Sequence, residues 1–185
     1  MTITLPPDPW QKVKTINDFP ADEIISALQK EVRRGNSENA CLLAYEMITT
    51  SPEMEEKLWI RLMVMSVEDV GFGNTQAPIL INTLYEIHNR FSLGALDRPL
   101  FALHGVRILC ESEKDRSTDE MLNWIKNSGQ LPAIPDYAID MHTGRGFKMG
   151  RNIEHFLNEA SKVHPEKAER NRTYYDKLRK ILLKD

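Results

Sequence analysis

The stretch Ser51–Ala77 reads SPEMEEKLWIRLMVMSVEDVGFGNTQA, and its reading decides the fold. Ser51-Pro52 pairs a capping residue with a first-turn proline, two common marks of a helix start. From Glu53 to about Asp69 the residues Leu58, Trp59, Leu62, Met63 and Met65 recur at helical spacing, which predicts a central buried helix. Its end is unusual. Two adjacent acids, Glu68 and Asp69, run into the glycine-bracketed turn Gly71-Phe72-Gly73, and Asn74 offers a cap for a fourth helix reaching about Phe91.

Helical patterns continue on both sides. Behind Pro20, a first-turn proline, Ile24, Ile25, Leu28 and Val32 predict a helix over 21–34, closed by Gly35-Asn36. Ser37 caps a second, which carries Ala40, Cys41, Leu43, Ala44 and Met47 to about Thr49. Downstream, Asp97 followed by Arg98-Pro99 opens a fifth helix to Cys110, and Ser117 with Glu120 gives the capping-box spacing for a sixth. No stretch alternates as a strand does. Short links favour antiparallel neighbours, so the expected fold is all-α, with stacked antiparallel helical hairpins.

The expected organisation is a Pro-rich arm over 1–20, a helical-hairpin core over 21–128, and an irregular loop with C-terminal helices packed on that core over 129–185. Leu131–Gly150 holds Pro132, Pro135, Gly144, Gly146 and Gly150 and reads as an ordered Gly/Pro-containing segment, with room for a short helix. A helix over 152–163 follows, broken at His164-Pro165, and then a charged terminal helix over 166–183 packing Leu178, Ile181 and Leu182.

The net charge of -3 over 185 residues gives no overall basic field for nucleic acid, so any phosphate contact must be local. Cys41 and Cys110 lie in apolar helical stretches and read as buried thiols of a reducing cytoplasm. No apolar run approaches the roughly 20 residues of a bilayer span, and the N-terminus lacks the basic-then-apolar pattern of a signal peptide. The expectation is a cytoplasmic chain with no membrane partner.

Between Ile24 and Cys110 the order of Ser26-Ala27-Leu28, Lys30, Val32-Arg33, Ala40 and Met47, then Glu68, Asp69, Gly71, Gln76 and Ala77, resembles the C-terminal domain of the RarA/MgsA-type replication-associated recombination ATPases, relatives of the Werner-helicase-interacting ATPase. That family usually has Ser, Ile and Asp-Pro where this chain has Val67, Val70 and Asn74-Thr75; Asn74 keeps the capping chemistry. The resemblance implies a clamp-loader-like helical domain associated with oligomerisation and replication-fork work, here expected as a stand-alone version. It implies a homo-oligomer, a replication ATPase or clamp-loader-like protein as partner, and DNA as a further candidate. ATPase activity does not carry over. The only glycine-and-base run, Gly144-Arg145-Gly146-Phe147-Lys148-Met149-Gly150-Arg151, has the wrong spacing for a phosphate loop and lacks its hydroxyl. No cofactor is expected.

Two constellations carry candidate chemistry. Glu68, Asp69, Gly71 and Asn74 form an acidic turn, read either as a partner contact or, more simply, as acids that fix the turn by binding backbone N–H groups or an arginine. His142, Gly144, Arg145, Gly146, Lys148, Gly150 and Arg151 combine three cations with glycines that let backbone amides approach a phosphate. The plainer reading pairs those cations with Asp136, Asp140 and Glu154. His142 and His155 with the nearby acids match no compact metal spacing, so no metal is expected. His104 and Arg107 read as a core-edge histidine and a surface arginine. The leading expectation is a non-enzymatic oligomerisation or docking module for DNA replication or recombination, touching nucleic-acid phosphates through 142–151. The alternative is an enzyme that binds a small molecule or nucleotide phosphate over 136–155, with His142 as acid or base and Arg145 and Arg151 on phosphate.

Overall fold

The computed structural model describes residues 8–183. About 66% of the chain is helical and, among the described residues, there is no strand, only the isolated bridges Lys14–Pro20 and Gly71–Asp115. The all-α class holds. The chain divides into two compact units, Met1–Gly129 and Gln130–Asp185.

The first unit contains α1 (Ala21–Arg34), α2 (Ser37–Thr50), α3 (Pro52–Met65), α4 (Ala77–His88), α5 (Arg98–Glu111) and α6 (Ser117–Ser128). Gly35, at φ 74°, closes α1, and Ser51 Oγ accepts from Met54 N to start α3. Links of two residues and one residue fold α1 and α3 back along α2. α3 touches α1, α2, α4 and α5 and buries Met54, Leu58, Trp59, Leu62 and Met65 completely, so it is the core helix its spacing predicts. Leu28, Val32, Met47, Ile81, Val106 and Leu109 close around it.

Several boundaries differ from expectation, each for a local reason. α3 stops at Met65; Ser66–Val70 widens into a π-turn in which Gly71 N reaches Ser66 O at 3.1 Å. Asn74 does not cap α4. Its Oδ1 takes Gln76 N at 3.1 Å, its Nδ2 reaches Ser112 Oγ at 3.0 Å, and α4 starts three residues later. The Ser117/Glu120 capping box does not form, because Asp115 Oδ1 takes the Ser117 N–H at 2.9 Å. Pro20 stands before α1, not in its first turn.

The second unit holds a 3-10 turn (Asp136–Ala138), α7 (Gly144–Lys148), α8 (Ile153–His155) running into a π-turn (Phe156–Ala160), and α9 (Thr173–Leu183). The irregular segment therefore contains a short helix, and the terminal helix is shorter than its sequence pattern. Asn171 Oδ1 takes Thr173 N at 3.0 Å and starts α9 there. α9 buries nothing: Leu178, Ile181 and Leu182 are exposed, contrary to the expected packing. Polar contacts hold it instead, with Arg179 Nη1 on Asn158 Oδ1 at 2.7 Å and Tyr175 Oη on Leu157 O at 3.4 Å.

Candidate functional site

The acidic turn is a charged junction. Asp69 is completely buried, and its Oδ1 accepts from Arg33 Nε at 2.6 Å while Arg116 Nε lies at 3.4 Å. Gln29 Nε2 donates to both acids, at 2.8 Å to Glu68 Oε1 and 3.0 Å to Asp69 Oδ2, and Gln29 Oε1 in turn accepts from Arg61. Arg33 Nη2 reaches Glu68 at 3.3 Å, and Arg116 Nη2 also holds Asp119 at 2.6 Å. Two carboxylates therefore tie the last turns of α1, the middle of α3 and the entry to α6. A buried carboxylate is tolerated only when paired and hydrogen-bonded in this way.

Gly71 fixes the rest of the turn. Its backbone sits at φ 50°, ψ −127°, and a Cβ there would lie 2.3 Å from Asp115 O. That closeness lets Asp115 N reach Val70 O at 3.0 Å, locking the turn onto the segment before α6. The sequence singled out Glu68, Asp69, Gly71 and Asn74. It did not pair the two acids with Gln29 and Arg33, 35 to 40 places before, or with Arg116, 47 to 48 places after, nor link them through Gln29 to Arg61, only seven to eight places before.

In the second unit the structure splits the 142–151 constellation. Arg151 is spent internally: its Nη2 spans both Asp136 carboxylate oxygens at 2.6 Å, and its Nη1 takes the carbonyls of Asp136 and Ile139 at 2.5 and 2.6 Å. That bond holds the Asp136 carboxyl below its usual range. Gly146 is buried with no room for a Cβ, which would lie 1.8 Å from Asp140 O, and Thr143 Oγ1 accepts from Gly146 N at 3.0 Å. His142 Nδ1 lies 2.8 Å from the Asp140 carboxylate, and its ring meets Phe156 edge-on at 5.1 Å. The His142 bond holds the Asp140 carboxyl low and turns Nε2 away from it. Arg145, Lys148, Gly144 and Gly150 remain on the surface. Of the three cations, two face solvent and one is structural.

A third cluster was not anticipated. Glu55 on α3 is 5% exposed, and Arg98 Nε donates to its two oxygens at 3.1 and 3.0 Å. His88, fully buried between Trp59 and Tyr85 at ring distances of 4.9 and 6.4 Å, puts Nε2 3.5 Å from the same carboxylate. Burial pushes the His88 pKa down, against the pull of the Arg98 carbonyl and Glu55. One signal was available: Glu55 stands four residues before Trp59 and seven before Leu62, on the buried face of α3.

The remaining candidates are surface or core features. His104 is exposed and Arg107 pairs with Glu111 at 3.3 Å on the surface. Cys41 and Cys110 are unbridged, and burial raises both thiol pKa values. Among the described residues no group of three His, Cys, Asp or Glu side chains is placed to hold a metal, and no helix is long and apolar enough to cross a membrane.

Fold and junction together define an all-α protein whose helices pack around α3 and whose acidic turn is tied to α1 and the entry of α6 by a partly buried acid–arginine network. No protein-family model matches the chain, and no curated protein matches it.

Proposed function

We propose that this chain is a non-enzymatic docking and self-association module serving DNA replication or recombination. One observation carries the docking part. α6 buries none of its side chains, and Met121, Leu122, Trp124 and Ile125 all stand about half exposed or more. Thr118 at the start of α6 shares an apolar hollow with Val67, Phe72 and Pro78, so the apolar surface continues onto the acidic turn. A 12-residue amphipathic helix with no apolar cover is unusual in a monomer and fits a partner surface. Asp119 and Glu120 open α6 and Lys126 lies in its last turn, so an antiparallel second copy brings opposite charges together. The assignment to replication or recombination rests on the Ile24–Cys110 resemblance. Within it, the arginine junction explains why the acids and glycine stand next to one another.

The Leu122→Glu/Ile125→Glu variant tests the surface. Both side chains are exposed, so folding by circular dichroism is expected to be unchanged while self-association by light scattering weakens at least about tenfold, as for a lost interface anchor. An unaltered association constant rejects α6 as the contact.

Nucleic-acid contact, in this reading, comes from Arg145 and Lys148, with Arg151 holding the segment's shape. Fluorescence anisotropy with single-stranded and forked DNA is expected to show weak binding that falls with salt and is lost in Arg145→Ala/Lys148→Ala. Binding that survives the double change places the contact elsewhere. The Asp140–His142 pair favours a second reading, an enzyme on a small molecule or nucleotide phosphate with His142 as acid or base. That reading predicts a phosphate-ester ligand whose affinity depends on His142 and Arg145.

A further inference from the structure

We propose that the cleft between the end of α2, the start of α3, the 93–96 link and the start of α5 binds a small aliphatic carboxylic acid. This inference is independent of the docking and replication reading. The cleft encloses about 470 Å³, in the range of small-ligand sites. Its walls are Tyr45, Ile48, Leu93 and Leu96, and Leu96 is 97% exposed, an apolar side chain that the fold leaves wholly in water at the mouth. Its polar floor is the Glu55–Arg98 pair, whose side chains are only 7% and 12% exposed.

Hydrogen-bond accounting selects the ligand's head group. Glu55 is engaged on both oxygens by Arg98 Nε, with His88 Nε2 3.5 Å from Oε1. Arg98 Nη1 is filled by the carbonyls of His88 and Phe91 at 3.2 and 2.5 Å. Arg98 Nη2 bonds no group among the described residues and is not among the buried side-chain atoms left without a partner, so it is the open position of the cluster and it is a donor. Glu55 and Arg98 cancel in charge, and burial favours neutral His88, so the floor does not repel an anion. An acceptor with negative charge completes Arg98, while an aliphatic tail covers Leu93 and Leu96.

Octanoate, 1-octanol and octylamine share one tail and differ in the head group, so they separate the two halves of the proposal without touching the buried pair. NMR titration of the full chain with octanoate is expected to shift the amides of Thr49–Ser51 and Leu93–Leu96. A charge-assisted bond to Arg98 makes 1-octanol at least about tenfold weaker, and octylamine weaker than both. Leu96→Asp, at a fully solvated position, is expected to keep the spectrum of the folded protein and abolish the octanoate shifts. Equal binding of the three probes, preference for octylamine, octanoate shifts unchanged in Leu96→Asp, or no shifts at millimolar octanoate overturns the proposal.

Discussion

Asp69→Ala is expected to lower the unfolding free energy by about 3 kcal/mol, the lower end for removing one partner of a buried ion pair. The low end applies because Arg33 and Arg116 are 29% and 34% exposed and water can reach them once the carboxylate is gone. The loss does not come from one bond. Without Asp69, Arg33 Nε and one Gln29 donor lose their acceptor, and Arg116 Nε, which already lacks a hydrogen-bond partner, loses the charge beside it. At a urea slope of about 2 kcal/mol per molar, the midpoint falls by about 1.5 M. Glu68→Ala, a quarter exposed and sharing its arginines, is expected to cost less. Equal midpoints for Asp69→Ala and the parent chain contradict the junction as a stabilising element.

Gly71→Ala is expected to be worse, with a cost of about 4 kcal/mol from backbone strain plus overpacking. The added Cβ would meet Asp115 O at 2.3 Å and Val67 O at 3.3 Å, and both are backbone atoms that cannot swing aside as a side chain does. Relief requires breaking the 3.0 Å bond from Asp115 N to Val70 O, which seats the turn below α6. Gly144→Ala, where a Cβ meets nothing within 4 Å, is the control and is expected to unfold like the parent chain. Similar thermal unfolding for both variants contradicts the close packing of this turn.

The contrast between these sites shows what the sequence could reveal. α1 matched its pattern to the residue, because Ile24, Leu28 and Val32 report burial at helical spacing and Gly35 marks the end. The same logic found α3, since its apolar residues outnumber its charges on one face. It failed at the chain ends of helices, where one side chain decides: Asn74 bonds Ser112, 38 places away, and Asp115 takes the N–H that a capping box would use. It also failed for α9, where the expected packing of Leu178, Ile181 and Leu182 does not form, because periodicity alone does not say what covers an apolar stripe; the same holds for α6, found where expected but with its apolar residues facing solvent.

The candidate sites divide along the same line. Glu68, Asp69 and Gly71 were visible because two acids beside a glycine are locally odd. Their arginine partners were not, because pairing across more than thirty residues leaves no local trace. Arg151 and Arg145 look equivalent in the sequence, six residues apart in one glycine-rich run. Only the backbone path separates them, bringing Asp136 and the Ile139 carbonyl to Arg151 and leaving Arg145 outward.

The measurement that bears most directly on the docking and self-association reading is the solution mass of the intact chain across a concentration series, by size-exclusion chromatography with light scattering. A monomer is 21.3 kDa. The account predicts a mass that rises to at least twice that value with concentration and stays near it in the Leu122→Glu/Ile125→Glu variant. A strict monomer at the highest concentration reached contradicts self-association through α6.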